Sequence, residues 1–562
     1  MDLLTRMLEH QEAHGAVNDA FLAELAKAAR VPLHRLEGLR GFYPVFRRTP
    51  GAPVQVRVCR DIACAMAGGA DHAGQVLEAL AGLPGLEVEA VSCLGRCDTA
   101  PACAINDVPV PGELPALQVL AERVAKDPAA LPPDEPTSTP RRWPTDPYED
   151  SSRHYDVLKG LLAEGPPGDA PATDAARERV LGALSESGLR GMGGAGFPTG
   201  SKWAYTRSAP GAVKYVVCNA DESEPGTFKD RVILEELPHL VVEAMAIAGW
   251  VIGAREGIVY LRHEYGRERK ALEREIASAR AAGVLGGDTG FDLRVFISPG
   301  GYIQGEETAL LEALEDRRGE PRNKPPFPTT HGLRGKPTLI NNVETFAAVP
   351  IILERGAEWW AGQGLGESQG LKFLAVSGDI AEPGVVCVPM GTPVADLLKQ
   401  CGGVPGGRAL RAFAPGGASS NFLPADRLDV ALDFQALQEA GSMLGSGAVI
   451  FVAEDRDLLA VALNEVRFFR NESCGKCVPC RMGTEKAVSL LEGALLQGTP
   501  GKAGNGAATD ALPSLLQDLG ATLARTSICG LGQVALQPVL SVLENFPEEA
   551  ARLKGSVDPK IP

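Results

Sequence analysis

The chain has 562 residues, 44% of them hydrophobic, too many for a single core and enough for three or four domains. Its formal net charge is −16, which excludes a general basic surface for nucleic acid and reads as a solvated exterior. Gly (65) and Pro (43) are frequent but dispersed, so the chain is loop-rich without being low-complexity.

The start, MDLLTRMLEHQEAHG, has no uninterrupted apolar stretch behind a basic end. The most apolar run, about Val241 to Ala254, contains Glu243 and is too short to cross a bilayer. We therefore expect a cytoplasmic protein. Residues 1–48 form an N-terminal helical segment, with apolar Leu3, Leu4 and Met7, then Phe21, Leu22 and Leu25, at helical spacing. Residues 49–126 follow as a small α/β unit. PVQVRVCR (53–60) alternates as a strand, GQVLEALAGL (74–83) reads as a helix, and LEVEAVSC (86–93) as a second strand. Residues 127–150, rich in Pro, Asp and Thr, read as a linker.

Residues 151–365 form a second α/β unit. Strands such as VKYVVCNA (213–220) and GIVYLR (257–262) alternate with Gly-rich turns and helices such as EYGRERKALEREIASAR (264–280). Residues 366–453 are strand-rich with Gly-Gly turns, and residues 454–562 are helical.

Twelve cysteines in a cytosolic chain point to metal ligands more than to disulfides, and eight fall into two groups of four. Cys474, Cys477 and Cys480 are each separated by two residues, and Cys529 lies apart in TSICGLG. Three close thiolates plus one remote suit a [4Fe–4S] cluster, while structural zinc usually takes two separated pairs. In the other group, Cys59 and Cys64 have four residues between them and Cys93 and Cys97 have three, each pair following a strand. Two pairs on adjacent loops suit a [2Fe–2S] cluster, one iron per pair. A zinc site is the alternative at both places. The isolated Cys103, Cys218, Cys387 and Cys401 read as small core residues.

LRGMGGAGFPTGSKW (189–203) supplies Gly191, Gly193, Gly194 and Gly196, then Lys202. Glycines let backbone N–H groups approach a phosphate, although the spacing is neither a Walker nor a clean dinucleotide fingerprint. CNADESEPGTFKDR (218–231) brings Asn219, Asp221, Glu222 and Glu224. GGYIQGEETALLEALEDRRGEPR (300–322) brings Gly305, Glu306 and Glu307. KPPFP (324–328) and NNVET (341–345) follow. Carboxylates and amides in loops suit a ligand rich in hydroxyls and ring heteroatoms, although any one acidic run also reads as a solvated face.

In this order, GGAGFPTG, NADE-x-EPGT, GEET, KPPFP, NNVET, SCGKCVPCR and SICGLG resemble the NADH-binding flavoprotein subunit of respiratory complex I and its relatives, over about residues 150–555. Residues 1–125 resemble the thioredoxin-like [2Fe–2S] subunit of the same complexes, here fused. The resemblance implies a multidomain α/β protein. Its parts are a thioredoxin-like [2Fe–2S] domain, a Rossmann-like FMN/NADH-binding domain, a ubiquitin-like (SLBB) β-grasp domain, and a C-terminal helical bundle carrying a [4Fe–4S] cluster. Its cofactors would be FMN, NAD(H) and the two clusters.

By motif position, the resemblance implies that Gly191, Gly193, Gly194 and Lys202 meet the FMN phosphate or ribityl chain. Asn219, Asp221 and Glu222 would lie along the flavin, and Gly305, Glu306, Glu307, Asn341, Asn342 and Thr345 would complete its cradle. Phe197, Tyr205, Glu224, Lys324 and Phe327 would contact the dinucleotide, with ordinary packing as the alternative for the aromatics. Glu224 near the ribose would favour NAD over NADP. Met192 stands where many relatives carry Arg, and Gln304 where many carry Cys.

The fusion, the end segments from Glu472 onward, and GGASSNFLP (416–424) resemble most the β subunit of NAD-dependent molybdenum or tungsten formate dehydrogenases. That implies a formate dehydrogenase α subunit as partner. Soluble NAD-reducing hydrogenase, complex I and a non-catalytic zinc-stabilised assembly protein are the alternatives.

Overall fold

The computed structural model describes residues 2–69, 71–134, 141–165, 171–497 and 511–554. Three sheets organise the chain. The first contains β1 (Val54–Cys59), β2 (Leu86–Val91), β3 (Ala102–Ile105) and β4 (Val108–Pro111), in the order β2-β1-β3-β4. β1 and β2 are parallel, while β3 runs antiparallel to β1 and β4. In β1, Val54, Val56 and Val58 are buried, as period-two alternation requires. They pack with Val76, Leu80, Leu117 and Val124 of flanking helices.

The second sheet is wholly parallel: β5 (Tyr215–Ala220), β6 (Glu256–Leu261), β7 (Asp292–Ile297) and β8 (Thr338–Asn342), ordered β7-β6-β5-β8. β5 is apolar along most of its length because helices cover both faces. The apolar run noted in the sequence is the helix Pro238–Ile252, buried on all sides except at its first residue. No helix among the described residues is long and apolar enough to cross a membrane.

The third sheet holds β9 (Leu371–Gly378), β10 (Gly384–Pro389), β11 (Leu410–Ala414), β12 (Leu423–Pro424) and β13 (Ala448–Ala453), ordered β10-β9-β13-β11-β12. Its first and last strands in sequence, β9 and β13, are parallel neighbours. Leu371, Phe373 and Leu374 pack into the core of the parallel-sheet domain, and Ala412, Ala414, Ile450 and Val452 into the C-terminal helices. The fold is thus a multidomain α/β arrangement: a thioredoxin-like domain, a parallel-sheet α/β domain, the five-stranded mixed sheet where the SLBB domain was expected, and a C-terminal helical region.

Two segments are placed in ways local periodicity does not reveal. The N-terminal helices Leu3–His14, Asp19–Ala29 and Leu33–Phe42 pack on the parallel sheet, against Val217, Ile258, Tyr260 and Phe296. Asp316 caps the first of them by accepting from the Leu3 and Leu4 N–H groups at 2.8 and 2.9 Å. The stretch expected as a linker is packed in its described C-terminal part. Trp143 donates to Glu236 at 2.7 Å and packs on Phe373, and the Tyr148 hydroxyl donates to Glu243 at 2.6 Å. Residues 135–140 of that stretch lie outside the described residues.

Candidate functional site

The strand order β7-β6-β5-β8 reverses direction between β5 and β8. In open parallel sheets ligands bind beyond the carboxyl ends of the strands at such a switch point. The predicted residues gather there. At the end of β5 the Asn219 amide donates to the Gly305 carbonyl at 2.8 Å. A Cβ on Gly305 would lie 2.9 Å from the Asp221 carbonyl, so the close approach requires glycine. At the end of β8, Asn341 accepts from the Trp203 indole at 2.9 Å, and Asn342 donates to Asp230.

The glycine loop closes on itself through the Gly191 N–H and Phe197 carbonyl at 2.8 Å. It is held to the short helix Val343–Ala347, which follows β8, by the Met192 N–H, which donates to the Thr345 hydroxyl at 2.8 Å. A Cβ on Gly193 would sit 3.0 Å from that of Asn342, and Gly194 has φ +116°. The loop therefore runs its backbone flush against the end of β8.

Around this cradle Lys324 pairs with Glu306 at 3.0 Å and with Glu307 at 2.9 Å, and Lys202 reaches Glu307 at 3.5 Å. Burial would raise the Glu307 carboxyl, but the two ammonium groups hold it below its usual range. Phe197, Tyr205 and Phe327 remain 47%, 57% and 55% exposed, and the Phe197 and Tyr205 rings neighbour each other with centroids 6.5 Å apart.

Three acidic residues behave differently from one another. Burial pushes Asp221 up to about 6; Ser223 donates to its Oδ1, Ser298 lies close, and its Oδ2 has no partner at hydrogen-bond distance. Glu222 spends both carboxylate oxygens inside the protein, accepting from the Asp230 and Arg231 N–H groups and from the Tyr265 hydroxyl at 2.9, 3.0 and 2.9 Å. Glu224 accepts from the Ser419 N–H of the SLBB region at 2.8 Å, and burial raises it to about 7. Of the two departures, Met192 is buried, and Gln304 is enclosed between the Tyr260 hydroxyl (3.3 Å) and Gly319.

Both cysteine groups converge. Cys59, Cys64, Cys93 and Cys97 are buried together, with the last two sulfurs 3.5 Å apart. The Gly95 and Ala102 N–H groups donate to the Cys93 and Cys64 sulfurs, each at 3.3 Å. Cys474, Cys477, Cys480 and Cys529 line one cavity with Ile303, Ile528, Leu531 and Pro321. Burial pushes Cys480 up to about 11 and Cys529 to about 12, so these thiols need a metal centre to ionise at neutral pH. Among the described residues no group of three or more His, Cys, Asp or Glu is arranged to hold a single metal ion. The donor chemistry of four thiols around an apolar cavity fits an iron–sulfur cluster. The cradle, with its close-approach glycines and the unpartnered Asp221 oxygen, fits a flavin nucleotide. Of the isolated cysteines, Cys103, Cys218 and Cys401 are buried and Cys387 is partly so.

Several functional contacts escape a sequence reading. Arg262 donates to both the Glu222 and Cys93 carbonyls, joining the acidic motif to the N-terminal thiol group. Arg231 pairs with Asp98, next to Cys97, at 2.6 Å. Glu472 accepts from Ser92 and from the Tyr302 N–H. A signal for Lys372 was available, as a lone cation in an apolar run, whereas Lys229 stands in the charged FKDR segment; both are buried.

The fold and site therefore define an FMN- and iron–sulfur-binding oxidoreductase acting on NADH. Residues 184–351 match the Nuo51 FMN-binding domain, and residues 460–553 the NADH-ubiquinone oxidoreductase-F iron–sulfur binding region. Residues 1–116 match the thioredoxin-like [2Fe–2S] ferredoxin family and residues 373–422 the SLBB domain. The F 2 component of the Rhizobium meliloti NADH-quinone oxidoreductase is 41% identical over 401 residues, 70% of this chain and 91% of that one. The NAD-reducing hydrogenase HoxS subunit alpha of Cupriavidus necator is 34% identical over 578 residues, 97% of this chain and 91% of that one. A crystal structure of NAD+-reducing [NiFe]-hydrogenase in the air-oxidised state superimposes with TM-score 0.82 at 32% identity, covering 99% of this chain and 94% of that one. The chain belongs to the family of NADH-oxidising diaphorase subunits that carry FMN and iron–sulfur clusters.

Proposed function

We propose that this chain exchanges electrons between NAD(H) and a partner catalytic subunit in the cytoplasm, and that the partner is the α subunit of a molybdenum or tungsten formate dehydrogenase. The observation that carries the electron-transfer reading is one short segment. Ile303 lines the four-thiol cavity, and Gly305, two residues on, receives the Asn219 amide of the flavin cradle. Cluster site and cradle therefore share a single piece of backbone.

When bound, FMN supplies the exchange between hydride chemistry at a nicotinamide and single electrons at iron–sulfur clusters. The chain's residues have the remaining tasks. Gly191, Gly193 and Gly194 would present backbone to the phosphate and ribityl chain, with Lys202 supplying positive charge. Asn219, Asp221, Gly305, Glu306, Glu307, Asn341, Asn342 and Thr345 would form the cradle, and Glu222 would hold its floor. Phe197, Tyr205 and Phe327 would stack against the dinucleotide, with Lys324 and Glu224 at its polar groups. Cys474, Cys477, Cys480 and Cys529 would ligate the [4Fe–4S] cluster, and Cys59, Cys64, Cys93 and Cys97 the [2Fe–2S] cluster. NAD+ reduction consumes two electrons and one proton and requires no side-chain nucleophile.

The formate assignment draws support from the fused architecture and from the segments 416–424, 472–487 and 527–549. A second reading, a subunit of an NAD-reducing hydrogenase, is favoured by the near end-to-end match to such a subunit. The native complex, purified through a tag on this chain, distinguishes them. Molybdenum or tungsten with formate-dependent NADH formation is the expected result. Nickel with hydrogen-dependent activity would move the partner to the hydrogenase class, and zinc without flavin or iron would overturn both readings.

A further inference from the structure

Lys372 stands on β9 of the SLBB sheet and points into the neighbouring flavin domain, where it is 1% exposed. All three of its N–H donors are used: Glu344 Oε2 at 2.6 Å, the Phe373 carbonyl at 2.8 Å and the Ser446 carbonyl at 3.0 Å. Glu344 lies in the NNVET segment of the flavin domain. Its other oxygen accepts the Phe373 N–H at 2.9 Å, so Lys372 and the adjoining peptide grip both ends of one carboxylate.

The grip continues toward the glycine loop. Lys229 pairs with the same Glu344 oxygen at 2.9 Å, with Asp230 at 2.6 Å and with the Asn342 side-chain oxygen at 3.3 Å. Asn342 in turn donates to Asp230 and abuts Gly193. On the other side of Glu344, the Thr345 hydroxyl receives the Met192 N–H. Both anchors of the glycine loop therefore flank Glu344, the carboxylate that β9 holds through Lys372 and the Phe373 N–H.

We propose that Lys372 is a positioning residue for the flavin cradle, fixing the glycine loop through Glu344 from outside the flavin domain. The proposal rests on the cradle assignment above. A buried carboxylate held by two ammonium groups on one oxygen and the Phe373 N–H on the other is closely fixed, whereas one left with Lys229 and the Phe373 N–H loses the shortest of its contacts, and Asn342 and Thr345 are held less firmly with it. Burial brings Lys372 down to about 8 against the opposing pull of Glu344, with Lys229, Asp230 and Cys387 as the other titratable groups around this pair. The grip therefore weakens as pH rises through 8.

The test is FMN binding by the full-length chain stripped of flavin, read from quenching of flavin fluorescence between pH 7 and 9. Lys372→Met should bind FMN at least tenfold more weakly at pH 7 and lose the decline above pH 8 that the wild type shows. Ser446→Ala breaks only the 2.9 Å hydroxyl contact of Ser446 with Thr227 across the same interface, and should bind as wild type. Wild-type affinity in Lys372→Met overturns the proposal, as does an equal loss in Ser446→Ala, which would indicate general loosening of the interface. Should Lys372→Met fail to fold, the wild type decides: a flat affinity from pH 7 to 9 overturns the proposal. Asn219→Ala tests the cradle separately, and wild-type FMN affinity there would overturn the cradle assignment.

Discussion

Glu472 accepts the Tyr302 N–H at 2.8 Å and also the hydroxyl of Ser92, the residue before Cys93. One carboxylate, two residues before Cys474, thus ties together the two thiol groups and the segment leading into the flavin cradle. Glu472→Ala should cost roughly 1 kcal/mol, the usual net worth of a hydrogen bond, because Ser92 and Tyr302 are only partly buried. Backbone amide exchange should quicken at residues 92–97 and 301–305 together. Quickening confined to residues around 472 would count against the tie.

The two cysteine groups predict separable iron contents. With both clusters present the chain should carry about six irons. Cys529→Ser should leave about two, with the reduced-state paramagnetic resonance of the [2Fe–2S] cluster intact, and Cys97→Ser should leave about four. Loss of all iron in either variant would show that the two groups do not bind independently.

Glu243 offers a clean pH test away from the cofactors. It is buried within the helix Pro238–Ile252, and burial raises it to about 7, while the Tyr148 hydroxyl and Leu158 N–H work in the other direction. The folded protein holds this proton to a higher pH than the unfolded chain does. The contribution is therefore fully present below about pH 4.5 and is lost as pH rises through about 7. Glu243→Gln removes this dependence, since the Tyr148 hydroxyl can accept as well as donate. Relative to wild type the variant should gain stability between pH 5 and 8, on the order of 2 kcal/mol by denaturant unfolding. A constant difference across that range would refute the assignment.

Glu224, held by the Ser419 N–H, should discriminate between NADH and NADPH by repelling a 2′-phosphate when ionised. Because burial sets it at about 7, discrimination should fall as pH drops from 8 to 6. Glu224→Gln should raise kcat/KM for NADPH relative to NADH about tenfold or more and abolish that pH dependence. An unchanged ratio would place the carboxylate away from the ribose.

The sequence by itself determined what is local. Alternating Val54, Val56 and Val58 specify a strand because side chains in extended backbone repeat every two residues. The spacings within Cys474/Cys477/Cys480 and within each N-terminal pair keep those thiols close because short loops limit their reach, whereas Cys529 joins its group only in the fold. The ordered glycine, acidic and NNVET motifs marked the cofactor class. The tertiary structure decided what depends on distant partners. The N-terminal helices read as a separate segment, yet Asp316 caps the first of them and the parallel sheet helps to bury them. Trp143 lies in a stretch with linker composition, and its indole finds Glu236, 93 positions away. Ser92 and Glu472 are 380 positions apart, and Lys372 meets Glu344 across two domains. Spacing carries no information about such pairs, because the hydrogen bonds and ion pairs that offset their desolvation form only once the domains have packed.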